Sequence, residues 1–431
     1  MKLTQEEQDM LDGKKGPSLQ KIMKTLVLYG QALGAERFAN IEGDGHFSIP
    51  FAVPGVGARL EMLDELAEAG LKTKYPFTLD PRVPSDFENL DLKFEQKQVF
   101  TEMFRDQARY DNRMLELGLR DRNAYTCTPY LSEVGNIPER DSILAWSESS
   151  CVVYVNSVLG ARTNRNAAVI DILSNIAGKT PECNLLTDKG RRATWLIEVK
   201  TKKRPNPQLL GAAIGMKVFE DVPYIVGLNS FLGKELNQEV CDYLKEMGAA
   251  CAAIGAVGLY HVEGLTLEAV EQGSHLLIPD YKTYVIGDKE LSNLMVSYPL
   301  MWADSKARPE KCLIGCPHLS LRELYWWANN IDEKLKAAGH KRVALSTIIC
   351  AAPQVLEKFK KDESAFEKIR NAGVKLSATC IEMYMNNPLC AQEAVITNSN
   401  KLRTFTPARM LLDEELLEVL VAGEIDEKRA I

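Results

Sequence analysis

Cysteine and histidine are sparse in this 431-residue chain, ten and five in number, and several sit in short stretches rich in glycine, proline and small hydroxyl residues. Four such stretches stand out: Gly43-Asp44-Gly45-His46, Thr126-Cys127-Thr128-Pro129-Tyr130, Gly315-Cys316-Pro317-His318 and Ser377-Ala378-Thr379-Cys380. Thiolates are soft ligands suited to iron–sulfur clusters or zinc, and three from separate loops can hold a cluster with one metal position open for catalysis. Cys127, Cys316 and Cys380 each follow a strand-like segment, where ligands gather on loops. Free cysteine is also among the most buried residue types. With no C-x-x-C pair present, spacing leaves a three-thiol site and ordinary packing equally open. Cys151, Cys241, Cys251 and Cys350 lie in apolar surroundings and read as core.

A second group of residues could grip an anion. Ser147, Glu148 and Ser149, followed by Asn156, Ser157, Arg162, Thr163 and Asn164, concentrate hydroxyl, amide and guanidinium groups at a helix start and the next turn. Such groups can cradle a carboxylate or phosphate, and separate helix caps account for some of them equally well. Asn398, Ser399 and Lys401 form a similar turn after the segment 393–396, where the lysine either holds an anion or is solvated. His261, at a strand end, reads as a hydrogen-bonded structural histidine.

Alternating helical periodicity and apolar strand-like runs must position these residues, and that alternation predicts an α/β fold of mostly parallel sheet. Thr4-x-x-Glu7 is a capping box opening a short helix, and Pro17 starts a longer one reaching Leu33. Helices are expected over 59–69, 95–117, 148–159, 166–177, 208–219, 238–247, 321–338, 364–371 and 413–421. Strands are expected over 38–42, 73–79, 194–199, 224–228, 258–262, 343–350 and 375–378. Residues 1–425 read as one catalytic region of two or three lobes, with soft boundaries at 201–207 and 303–309.

A formal charge of -7 argues against nucleic acid as a partner, and the basic run Lys200 to Arg204 reads as a solvated loop. No window approaches a membrane span and the first residues lack a secretion signal, so a cytoplasmic protein with reduced thiols is expected.

The quoted stretches, together with Trp146-Ser147-Glu148-Ser149, Asn156 to Asn164 and Thr397-Asn398-Ser399, resemble the large subunit of the aconitase X family over essentially the whole chain. The resemblance implies a multi-lobed α/β fold around a central cleft and an iron-dependent hydro-lyase acting on a small hydroxy acid. It implies that Cys127, Cys316 and Cys380 ligate an iron–sulfur cluster or a mononuclear iron. It further implies that His46, Ser149, His318 and Lys401 take part in catalysis, and that Ser147, Asn156, Arg162, Thr163, Asn164, Asn398 and Ser399 bind substrate. The resemblance further implies that the small swivelling domain carrying the superfamily's usual catalytic serine belongs to a separate small subunit, which is expected as a partner. Departures at Gly43 to Ser48 and Gly264 to Ala269 bear on the substrate. cis-3-Hydroxy-L-proline is slightly preferred over 5-phosphomevalonate, because no Gly-rich phosphate loop stands out. A non-catalytic iron–sulfur protein that senses iron or binds RNA, and a structural zinc protein, are the competing readings from other classes.

Overall fold

A computed structural model describes residues 1–51 and 57–426. The capping box forms as expected: Glu7 Oε2 accepts from the Thr4 N–H at 2.8 Å and Thr4 Oγ1 accepts from the Glu7 N–H at 3.3 Å, opening the helix Gln5–Leu11. The helix Pro17–Ala32 follows. The first region has four short strands, β1 (Phe38–Asn40), β2 (Gly45–Phe47), β3 (Phe77–Leu79) and β4 (Lys179–Pro181). β1 pairs antiparallel with β4, and β2 parallel with β3. His46 therefore sits on a strand and not in a glycine loop.

Two larger sheets are wholly parallel. One has the order β7-β6-β5-β8, built from β5 (Ala193–Val199), β6 (Pro223–Val226), β7 (His261–Val262) and β8 (Leu277–Ile286). The other has the order β11-β10-β9-β12-β13, from β9 (Lys311–Leu319), β10 (Ser346–Ala351), β11 (Lys375–Ser377), β12 (Val395–Thr397) and β13 (Arg409–Met410).

This last sheet is the centre of the molecule. Side chains alternate across a strand, and here both faces find a core. Cys312, Ile314, Ile349 and Ile396 pack with the β5–β8 region. Leu313, Ile348, Cys350 and Val395 pack with Phe47, Phe77, Phe100 and Tyr384 of the other core. Burial on both faces is why β10 reads as an unbroken apolar run instead of an alternating one.

Several elements differ from the periodicity. The helix expected over 95–117 breaks into Phe94–Met103 and Gln107–Leu117, so that Phe100 and Phe104, then Tyr110 and Met114, all reach one core. The helix expected over 148–159 is the short Ser149–Tyr154 followed by a π turn, Val155–Leu159, ended by Gly160 in the left-handed region. The helix expected over 238–247 runs on to Gly255, extended by small residues that pack against the helix Pro207–Val218.

Candidate functional site

The strand order reverses direction at β9: β10 lies on one side of it and β12 on the other. In open parallel sheets, ligands bind beyond the carboxyl ends of the strands at such a switch point. A cavity of about 290 Å³ lies there, lined among others by Asp80, Arg82, Cys127, Glu148, Ser149, Cys316, His318, Cys380, Glu382 and Lys401.

Cys316 enters the cavity through a bulge. Ile314 pairs with Ile349 and Leu319 with Ala351, so the residues between leave the ladder. Gly315 makes the turn with φ +106°, and a Cβ there would lie 2.3 Å from the Cys350 carbonyl oxygen. No side chain fits that approach. The Cys316–Pro317 peptide is cis, and the Cys316 carbonyl accepts from Ser399 Oγ at 2.5 Å.

His318 ties the three cysteine loops together. Its Nδ1 lies 3.0 Å from Thr126 Oγ1, beside Cys127, and its Nε2 lies 3.3 Å from the Thr379 carbonyl, beside Cys380. A carbonyl only accepts, so Nε2 carries the proton and Nδ1 accepts from Thr126. The His318 N–H donates to Cys127 Sγ at 3.2 Å. Burial holds the imidazole unprotonated, down at about 4. Beneath it the buried Lys245 donates to the His318 carbonyl at 3.2 Å and pairs with Glu323.

Burial pushes the three thiols up: Cys127 and Cys380 well above the usual thiol range, and Cys316 to about 12. Cys316 is one cause for each of the other two, which places the three within electrostatic reach of one another. Left alone they stay protonated, and only a bound cation turns such thiols into thiolates. Among the described residues, no three His, Cys, Asp or Glu side chains are close enough to share a single metal ion.

Glu148 caps the helix Ser149–Tyr154, accepting from the Cys151 N–H at 2.8 Å, from Ser150 Oγ and from Lys401. Its φ of +106° is a strained conformation for a residue with a side chain. Burial pushes its carboxyl up, but the Lys401 ammonium outweighs this and holds it down at about 2. Lys401 rides on the helix Asn400–Phe405, capped by Ser399 Oγ accepting from the Leu402 N–H at 3.1 Å.

The structure thus gathers Cys127, Cys316, Cys380, Ser149, His318 and Lys401 on one wall. His46 is fully buried behind Asp80, with Nε2 3.5 Å from Asp80 Oδ1. Ser147 accepts from the Ser48 N–H and lines a smaller neighbouring depression. The other anticipated substrate contacts lie in the scaffold away from the cavity. Asn156 bridges Thr163 and the Gly258 carbonyl, and Thr163 Oγ1 accepts from the Trp146 N–H. Arg162 pairs with Asp188, Asn164 Oδ1 accepts from the Leu185 N–H, and Asn398 donates to Asp413. Ser399 reaches the site only through the Cys316 carbonyl. Asp80, Arg82 and Glu382 have no place in the sequence reading, and Glu148 enters it only as part of a polar stretch. Asp80-Pro81-Arg82, a charged triplet at the end of a strand, is the signal that could have found two of them.

Comparison with known proteins now adds to this geometry. Models of the aconitase X first, second and third domains match residues 1–189, 193–295 and 310–417. The phosphomevalonate dehydratase large subunit of Thermococcus kodakarensis is 35% identical over 341 residues, 79% of this chain and 78% of its own. That of Methanothermobacter thermautotrophicus is 34% identical over 414 residues, 95% of each chain. The crystal structure of Thermococcus kodakaraensis aconitase X in its holo-form superimposes with a TM-score of 0.76 at 31% identity, covering 97% of this chain and 99% of that one.

These matches place the chain among the hydro-lyases, enzymes that remove water from their substrates. It belongs to the aconitase X family, and its mixed α/β fold with several parallel sheets is that family's fold. The slight preference for cis-3-hydroxy-L-proline is not upheld. The cis-3-hydroxy-L-proline dehydratase of Pseudomonas aeruginosa is 25% identical, and this chain spans only 66% of its length.

Proposed function

We propose that this chain is the large subunit of a phosphomevalonate dehydratase, working with a separate small subunit. The observation that carries the substrate is the end-to-end match to phosphomevalonate dehydratase large subunits, 95% of both chains in one case, against two thirds of the hydroxyproline enzyme. Five of the seven matching curated relatives carry that name, and their designation as large subunits supports a small partner.

Cys127, Cys316 and Cys380 would hold the metal centre. Their donor chemistry fits: three soft thiols line one cavity, each held protonated by its surroundings until a cation arrives. Three thiolates suit an iron–sulfur cluster, which takes a thiolate on each of several irons, or a mononuclear iron. Bound there, the iron supplies a Lewis acid at the cavity. The chain's own residues do the rest. His318 fixes the three loops relative to one another, and Lys401 and Glu148 keep a fixed ion pair beside the reacting centre. Phe47, Ile49, Phe51 and Phe405 give the cavity an apolar side that excludes water.

The test is anaerobic co-purification with the small subunit, iron and sulfide analysis, and assay on phosphomevalonate and on cis-3-hydroxy-L-proline. Iron and sulfide lost in Cys127→Ser, Cys316→Ser and Cys380→Ser, with water released from phosphomevalonate by the wild type, is the expected result. Turnover of hydroxyproline alone overturns the substrate. Iron retained by all three variants overturns the site.

A further inference from the structure

We propose that Asp80 is the catalytic group that gives a proton to the departing hydroxyl, and that His46 is the residue that positions it. The proposal rests on the dehydratase reading of the cavity.

Among the described residues, His46 Nε2 and Asp80 Oδ1 are both buried without a hydrogen bond, and they face each other at 3.5 Å. Everything behind His46 is committed. Asn136 Nδ2 donates to Thr78 Oγ1 at 3.0 Å and to the Gly45 carbonyl at 2.9 Å. The Thr78 hydroxyl then has His46 Nδ1 at 2.9 Å and the Gly45 carbonyl at 3.5 Å as acceptors, and the shorter contact takes its proton. With Nδ1 accepting, the ring proton is on Nε2 and points at Asp80. The imidazole cannot swing: it sits on β2 with no exposed surface, packed on Trp146 at 5.4 Å between ring centroids.

Asp80 is differently placed. It directly follows β3, lines the cavity and keeps 29% of its side chain exposed, while Oδ1 is sealed against His46. One carboxyl oxygen is thus held from behind while the group still faces substrate, as an orienting partner holds a general acid. Burial and the charge of Glu148 raise Asp80 above the usual carboxylate range, with His46 pulling the other way. Glu382 and Cys380, from the segment after β11, and Tyr110 also feel its charge, and Lys401 stands across the cavity beside Glu148. The sum of these surroundings moves Asp80 towards the acid form, against the pull of His46 and Ser48.

In the step, the Asp80 proton passes to the hydroxyl oxygen as the carbon–oxygen bond breaks, and that bond's electron pair leaves with the water. The neighbouring carbon gives its proton to a base on the small subunit, and the pair left behind forms the carbon–carbon double bond. Asp80, now a carboxylate, recovers a proton from solvent as the base releases the one it took, so only water is lost and nothing is oxidised or reduced.

The experiment uses Asp80→Asn, His46→Gln and the double variant in the iron-loaded complex with its small subunit. Expected are a loss in kcat of roughly a hundredfold or more for Asp80→Asn, unchanged KM and unchanged iron. His46→Gln is expected to cost less, and nothing further in the Asp80→Asn background. Spectra of 15N-histidine-labelled protein, with only five histidines to resolve, are expected to show His46 protonated at Nε2 and that resonance shifted by Asp80→Asn. Near-wild-type kcat in Asp80→Asn, an additive double variant, or a proton on Nδ1 alone overturns the proposal. Thr78→Val replaces His46→Gln should that variant fail to fold. If the wild type dehydrates neither candidate substrate, the substrate reading fails separately. The labelled-histidine spectrum then decides, an Nε2 signal indifferent to Asp80→Asn overturning the pairing.

Discussion

Lys401 matters to this protein far beyond its one charge, because its ammonium is what keeps a buried carboxylate ionised. Glu148 is 5% exposed and Lys401 11%, so removing the lysine strands a charge away from water. Lys401→Met is expected to cost about 3–5 kcal/mol in denaturant unfolding at pH 7, and Glu148→Gln in the same chain to recover part of it. The sign with pH follows from Glu148 at about 2, below its ordinary value of 4.5. The pair stabilises fully above pH 4.5 and fades as pH falls towards 2, so the gap between wild type and Lys401→Met narrows in acid. At this scale the sequence was a good guide to the cysteines. Cys151, Cys251 and Cys350 are fully buried and Cys241 packs against the core, while Cys127, Cys316 and Cys380 meet at the cavity. It was a poor guide to Glu148, since a glutamate is not a usual N-cap and its positive φ has no local signature.

Among the elements, β9 does most to build the site, and its bulge hangs on Gly315. Gly315→Ala combines a positive φ with a contact against backbone that cannot move aside, and is expected to cost at least about 2 kcal/mol of unfolding free energy, read from denaturant unfolding. Iron binding by that variant should fall too, because Cys316 is the next residue. Most helices and the strands β5, β6, β10 and β11 were legible from their patterns; β2, β8, β9 and the helix Asp288–Ser297 were not. β9 hides because Gly315, Pro317 and His318 interrupt its apolar run. β2 hides because three residues containing a glycine and a histidine carry no strand pattern. The substrate contacts expected between Asn156 and Asn164 turned into scaffold for a related reason: the π turn at Val155–Leu159, invisible to a 3.6-residue period, directs Asn156 towards Thr163 and Gly258.

The whole molecule is bound by buried polar ties as well as by its two cores. Gln96 Nε2 donates to Glu393 Oε1 at 2.9 Å, and Lys311 reaches the Asp91 carbonyl at 3.1 Å, joining the first region to the central sheet. Arg191, 1% exposed, pairs with Glu268 and donates to the Asn156 carbonyl at 2.9 Å, joining the first region to the β5–β8 sheet. Arg191→Met leaves Glu268 unpaired, with an expected cost of about 3–5 kcal/mol and a lowered thermal midpoint seen alike by near- and far-ultraviolet circular dichroism. Alternating α/β composition was readable along the chain. That the last sheet to be made lies at the centre was not, because contacts between residues hundreds of positions apart leave no trace in a local pattern.

That arrangement has a consequence for how the protein is made. β12 lies between β9 and β13 but is synthesised after β10, which takes β9's other side, and after β11, which pairs with β10. Until it emerges from the ribosome, β9 is an unpaired edge of apolar residues, the kind of surface that draws in other chains. A product stopped between Cys380 and β12 would own all three thiols and still lack the strand that seals the sheet beneath them. Truncation there should give aggregates rather than a weakened enzyme, and expression at low temperature or with a holding chaperone should help most during the last stretch of translation.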